Sequence, residues 1–254
     1  FELAGQVGEP LVGRKQTLHL YPLSQLEYSQ QANPYELRQK LSELLIFGNY
    51  PAIVVESDKV QKQAKLLDYI ASFLLKDIMA LEQVKGSKVL FDLLRLVAYQ
   101  VGSEVSLSEL GKQLGLDYKT VARYLNILEQ GFVLYNVRGY SGNLRKTITK
   151  KSKYYFWDTG IRNSIISNFN EFEHRNDIGQ LWENFLVMER VKYQHYTLQS
   201  ANNYFWRTWE KHEVDWVEER AGSVFGYEFK YTKVAGKSRH YFLAAYPQAH
   251  FQTI

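Results

Sequence analysis

The sequence predicts a mixed α and β protein in three parts, on three observations. Apolar residues recur at helical spacing through the first third. The middle runs short helix, glycine turn, longer helix and two strands, and the last third changes to period-two alternation after one long helix. At 254 residues and 45% hydrophobic, the chain can bury a real core as one large domain or as two to three small ones. It has no cysteine, which removes disulfides, thiolate metal sites and cysteine nucleophiles, and fits a reducing compartment; the cytoplasm is expected. Its apolar runs are broken well before the roughly 20 residues that span a bilayer, so no membrane segment is expected. The opening "FELAGQVGEP" has neither a basic nor an apolar leader region and no Met, and reads as cut from a longer chain.

Residues 1–35 hold a turn-rich opening, a short β-like run "TLHLYPL" and the polar loop "SQQANP". From Tyr35 a helix is expected, with Leu37, Leu41, Leu44 and Leu45 on one face and Gly48 as its stop; Pro51 then breaks the chain into an extended stretch. Ala64, Leu67, Ala71, Leu74 and Ile78 describe a long amphipathic helix from Asp58 to about Glu82, and Val89, Leu93, Leu96 and Val97 another after Gly86. Next come "SELGKQLG", capped from Ser106 or Ser108, a turn at Gly115-Leu116-Asp117, and "YKTVARYLNILEQG" with Val121, Leu125 and Leu128 inward. "FVLYNVRGY" and "KYYFWD" read as two strands around a basic loop. That order outlines a winged helix-turn-helix. After Asp158, "GQLWENFLVMERVKYQ" is a helix with Leu181, Phe185, Met188 and Val191 inside, and "YFWRTW", "EVDWVEE" and "SVFGYEFKY" form a meander. "RHYFLAAYP" and "AHFQTI" add a helix and a strand.

The formal charge of +4 says little, but its distribution says more. No acid lies between Glu129 and Asp158, whereas Arg138, Arg145, Lys146, Lys150, Lys151 and Lys153 all do. As the wing of a winged helix this stripe would engage phosphates, while Tyr118, Lys119, Thr120 and Arg123 at the start of the second helix would face the major groove. DNA is the expected partner; a rigid spacer or a protein contact is the alternative reading.

If Ala221-Gly222 is a two-residue turn, Asp215 lies opposite Glu228 and Glu213 opposite Lys230, on strands whose facing Cβ atoms are about 4.5 to 5.5 Å apart. Two carboxylates so close repel, and a divalent cation bound by Asp215 and Glu228, Mg²⁺ or Mn²⁺, is the usual remedy. Lys230 would then orient or polarise a water. A solvated edge hairpin with alternating charge is the bland reading of the same residues. The histidines lack metal spacing, and Trp206, Trp209 and Trp216 read as core before base-stacking residues.

"EVDWV" and "YEFKY", preceded by "LWENF" and "YFWRTW", resemble the PD-(D/E)xK nuclease core in the variant fused to the C-terminus of certain prokaryotic AAA-type ATPases. The resemblance implies Glu183 as the helix acid, Asp215 as the first metal-ligand acid, and Glu228 with Lys230 as the E-x-K pair. "LVGRKQTLHLYPLSQLEY", "ELLIFGNYPAIV", "ASFLLKDI" and "YYFWDTGIRN" are similar to other parts of the same family, so the likeness runs through essentially the whole chain. It implies a helical ATPase remnant over 1–83, a winged helix over 84–158 and a small α/β restriction-endonuclease-like domain over 159–254. "YTKVAGKS" imitates a phosphate-binding loop, but Tyr231 stands where its first glycine belongs. ATP is therefore expected only in the full-length protein, with no nucleotide-binding residue here and any oligomer formed through the ATPase part. Arg14 would reach a neighbouring subunit's nucleotide there or be a plain structural arginine.

Three functions stand at this point. The first is DNA binding with Mg-dependent endonuclease activity at Glu183, Asp215, Glu228 and Lys230. The second is a non-catalytic DNA- or partner-binding module that regulates the ATPase. The third, transcription regulation, predicts sequence-specific binding without cleavage.

Overall fold

The computed structural model describes residues 18–72, 87–141, 151–232 and 238–254. The expectations for Gly13-Arg14, for the long helix beyond residue 72 and for most of "YTKVAGKS" fall outside those residues. Helix α1 (Gln25–Tyr28) is closed by a capping box between Ser24 and Glu27. Helix α2 (Pro34–Phe47) starts on the Asn33 side chain, which accepts from the backbone N–H of Tyr35 and Glu36, and ends at Gly48 (φ 79°) as the sequence predicts. Pro51 follows extended Tyr50 (ψ 132°), as expected, but the break before the next helix is short. It opens a one-turn helix, α3 (Pro51–Val54), because its fixed φ suits a first helical position and its missing N–H costs nothing there. Helix α4 (Lys59–Tyr69) is capped by Asp58, and α5 (Ser87–Tyr99) buries Leu90, Leu93, Leu94, Val97 and Ala98.

Strand β1 (Glu104–Val105) leads into α6 (Leu107–Leu114), capped by Ser106 and stopped by left-handed Gly115. Asp117 caps α7 (Tyr118–Gln130), whose buried face includes the expected Val121, Leu125 and Leu128. Strands β2 (Leu134–Gly139) and β3 (Ser152–Phe156) pair antiparallel, and β1 pairs with β3. Helices α8 (Thr159–Ile165) and α9 (Ile178–Tyr196) follow, then β4 (Asn202–Arg207), β5 (Glu213–Arg220), β6 (Ser223–Glu228), α10 (Ser238–Ala245) and β7 (His250–Thr253).

The seven strands form one mixed sheet in the order β1-β3-β2-β4-β5-β6-β7. Its central seam is the parallel pair β2–β4, with Arg138 beside Tyr204 and Gly139 beside Phe205. The β2–β3 hairpin, expected as the wing of a winged helix, is bonded into the same sheet as the C-terminal meander. One hydrophobic core runs from Ile46 to Phe229 and crosses the expected boundaries at 83/84 and 158/159. A smaller core of Tyr140, Trp206, Val214, Val217 and Phe242 includes one α10 side chain. Among the described residues no helix is long and apolar enough to cross a membrane.

The segment "WDTGIRN" ties the helices to the sheet. Asp158, buried, accepts the Asn49 N–H at 2.6 Å through one oxygen and the Ile161 N–H at 3.1 Å through the other, so it caps α8 and holds the end of α2 at once. Asn163 donates to the carbonyls of Leu45 and Ile46 at 3.1 and 2.8 Å. These bonds satisfy carbonyls that the end of a helix leaves without partners. Gly160 leaves room for this contact, since a Cβ there would lie 2.0 Å from the Phe47 carbonyl oxygen.

Candidate acid cluster and nucleic-acid interface

The β5–β6 hairpin turns through Ala221 (φ 48°) and Gly222 (φ 74°), both left-handed as a tight type I′ connection requires. Its pairing runs from Arg220–Ser223 to Trp216–Tyr227, the register expected from the sequence. Beyond Tyr227 the side chains take partners of their own. Asp215 Oδ2 accepts the backbone N–H of Phe229 at 2.7 Å, and Glu228 Oε1 lies 3.1 Å from Lys230 Nζ. Asp215 and Glu228 are both buried. Burial, with the Glu183 carboxylate beside it, pushes Asp215 up to about 7 against the pull of Lys153, the Phe229 N–H and Lys230. Burial works against the Lys230 ammonium, yet Asp215, Glu228 and Glu183 together hold it above its ordinary value. Glu183, Asp215, Glu228 and Lys230 thus come from α9, β5 and the end of β6 to one place.

A fifth group, from β3, changes the chemistry of that place. Lys153, expected on the DNA-facing wing, is wholly buried: its Nζ lies 3.3 Å from Glu183 Oε1 and is hydrogen-bonded to Glu213. Tyr155, two residues on and so on the same face of the strand, donates its hydroxyl to Glu183 Oε1 at 2.6 Å. Burial alone would lower the Lys153 ammonium, but Glu183, Glu213 and Asp215 raise it overall, so it stays charged. Glu213, expected across from Lys230, turns instead to Lys153 and to Arg207, whose Nε is 3.4 Å away. The strand pattern of "SKYYF" is buried from Lys153 through Phe156 because β3 is covered on both faces. Tyr154, Tyr155 and Phe156, which follow Lys153, are buried with it.

The acids of this set already have protein partners. Among the described residues no three His, Asp or Glu side chains group closely enough to hold a metal ion. Asp215 is bonded to backbone and Glu228 to Lys230, while a protein ammonium already bridges Glu183 and Glu213. The Mg²⁺ or Mn²⁺ expected at Asp215 and Glu228 would have to compete with these partners for the two carboxylates.

On α7, Tyr118, Lys119 and Arg123 are exposed, as expected for an outward row. Thr120 is half-buried and donates its hydroxyl to Asp117 Oδ2 at 2.5 Å, so it serves the helix cap rather than the outward face. Arg138 is exposed, and Lys151 is exposed with Glu104 at 3.6 Å. Arg145, Lys146 and Lys150 lie outside the described residues. Of the three tryptophans expected in the core, Trp206 and Trp216 are there, but Trp209 is fully exposed on the turn between β4 and β5. A turn has no second face to bury it.

Comparison with known proteins gives family rather than activity. A family model described as a domain of unknown function (DUF8612) matches residues 38–171, and a second, also described as a domain of unknown function (DUF4143), matches residues 178–253. The uncharacterized proteins Rv2008c of Mycobacterium tuberculosis and Mb2031c of Mycobacterium bovis are each 26% identical over 241 residues, which is 94% of this chain and 52% of theirs. An uncharacterized protein of Haemophilus influenzae is 28% identical over 173 residues, 65% of this chain and 43% of its own. The chain spans about half the length of the curated relatives it matches. No solved structure matches. The break between the two family models, at 171–178, falls just before α9, the helix that brings Glu183 to the acid cluster. The first model covers more than half of the residues, and the chain belongs to the DUF8612 family.

Proposed function

We propose that the chain is a nucleic-acid-binding, regulatory part of a longer cytoplasmic AAA-type ATP-binding protein, in which a PD-(D/E)xK-like fold is kept as a scaffold. The carrying observation is Lys153: its ammonium sits among Glu183, Glu213 and Asp215, where a hydrolytic site would need a metal and a water. Binding is supported by the outward row Tyr118, Lys119 and Arg123 at the start of α7 and by Arg138 on the hairpin. In this reading α6, the Gly115 turn, α7 and the β2–β3 hairpin are a winged helix, residues 159–254 are the nuclease-like part, and residues 1–83 belong with the ATPase, through which any oligomer forms. Duplex DNA is the expected ligand of α7, held chiefly through phosphates and so sensitive to salt.

A second reading, metal-dependent phosphodiester hydrolysis, is favoured by one observation: the charges of Glu183, Asp215 and Glu228 all bear on Lys230. Incubating the chain with labelled single-stranded, duplex and branched DNA separates the two, with Mg²⁺ or Mn²⁺ at low and moderate salt. Binding without cleavage in every condition supports the scaffold reading. Metal-dependent cleavage that disappears in Asp215→Ala and Lys230→Ala refutes it and establishes the enzyme.

A further inference from the structure

A groove of ≈ 530 Å³ opens beside the β2–β4 seam, lined by Gly139, Lys151, Phe205, Arg207, Trp209 and Lys211 among others. Its outer wall is the turn joining β4 to β5. That turn is held by three hydrogen bonds: Thr208 N–H to the His212 carbonyl at 2.9 Å, Lys211 N–H to the Thr208 carbonyl at 3.1 Å, and His212 N–H to Thr208 Oγ1 at 3.2 Å. On this braced support Trp209 is 100% exposed. A large aromatic surface carried in water on a braced turn, with nothing of that turn to cover it, suits an external flat partner.

The charges say which partner. Among the described residues that line the groove, three cations, Lys151, Arg207 and Lys211, stand against one carboxylate, Glu104. The cations are loosely held: Arg207 stands 3.4 Å from both Glu104 and Glu213, and Lys151 stands 3.6 Å from Glu104. These separations exceed a good charge-assisted hydrogen bond, so a phosphate oxygen can take over the donors without breaking a tight pair. Gly139 puts no side chain into the groove. An aromatic platform beside loosely paired cations in an open groove is what unpaired bases and their phosphates recognise, whereas a duplex hides its base faces.

We infer that this groove binds a single strand of nucleic acid, with a base stacked on Trp209 and phosphates met by Lys211, Arg207 and Lys151. The inference rests on the nucleic-acid reading above but uses residues other than those of α7.

The test uses the full chain with fluorescently labelled oligo-dT and oligo-rU of about 12 nucleotides, within the usual site size for such grooves, and a duplex of equal length. Anisotropy reads affinity, and intrinsic tryptophan emission reads stacking. The wild type should bind a single strand with quenching. Trp209→Ala, which removes an exposed side chain, should weaken that binding about tenfold and abolish most of the quench while leaving duplex affinity unchanged. Lys211→Glu should weaken single-strand binding and flatten its salt dependence. The dT and rU arms decide between DNA and RNA as the better ligand. Lys119→Glu with Arg123→Glu should weaken only the duplex, so the α7 reading stands or falls by itself. No binding of either single strand, unchanged single-strand affinity in Trp209→Ala, or single-strand loss confined to the α7 variant overturns the inference.

Discussion

Replacing Lys153 with methionine removes a buried ammonium while keeping most of its length and apolar volume. The structure sets the size of the effect. Glu183 keeps the Tyr155 hydroxyl at 2.6 Å, and Glu213 keeps Arg207 at 3.4 Å, so neither is left without a partner. Asp215 is in a worse position: burial and Glu183 already push it up to about 7, and Lys153 is among the charges that oppose them. Removing one partner of a buried ion pair usually costs about 3–5 kcal/mol. Protonation of Asp215 relieves part of this below pH 7, so the loss should be near the lower end at pH 6 and the upper end at pH 8. For a chain of this size 3 kcal/mol lowers Tm by roughly 6–12 °C. Circular-dichroism melts at both pH values measure it. Adding Asp215→Asn to Lys153→Met should recover most of the loss, since the carboxylate that the ammonium offsets is then gone and replacing a whole buried pair by neutral groups is often close to neutral. A loss under about 1 kcal/mol, an equal loss at the two pH values, or no recovery in the double variant would show that Lys153 does not neutralise the cluster.

Asp215 also makes a pH signature of its own. Its carboxyl in the folded chain titrates near 7, above its ordinary value, so between about pH 4 and 7 the folded state binds more protons than the unfolded state and stability falls as pH rises. Asp215→Asn should flatten that slope and raise stability at pH 8 by at most about 4 kcal/mol, read by urea titration; an unchanged slope counts against it. Gly160→Ala places a methyl group 2.0 Å from the Phe47 carbonyl oxygen and should cost several kcal/mol or prevent folding, with Gly179→Ala, which meets nothing within 4 Å, as the control in the same thermal scan. Arg123→Glu should lower duplex affinity at all sequences alike and reduce the salt slope by about 1 in an anisotropy titration; loss confined to one sequence would identify a base contact instead.

The elements were largely legible and their neighbours were not. The β5–β6 register could be read because alternation fixes each side chain's face and Ala221-Gly222 fixes the turn, both within a few residues of one another. The α7 faces followed from helical spacing and the cap at Ser106 from residue type, whereas the caps at Asn33, Asp58 and Asp117 were not read from the sequence. Lys153 was different. Flanked by Lys150 and Lys151 it reads as part of a solvated stripe, and only the parallel β2–β4 seam, a contact with no local sequence signal, puts β3 deep in a sheet with Glu213 and Glu183 within reach. The four key positions were legible as a motif, but which cation stands among them depended on a strand some sixty residues upstream.

The β2–β4 seam has a mechanical consequence. Two bodies joined by a linker can swing independently; two hairpins joined edge to edge in one sheet cannot. A tug on α7 is passed through β2 to β4 as shear along the strands, and Lys153, pinned to α9 through Glu183 and to β5 through Glu213, acts as a rivet across that joint. Under such a load the rivet and the ladder share the strain and yield together, so the hairpin and the acid cluster should come apart as one event or stay closed as one.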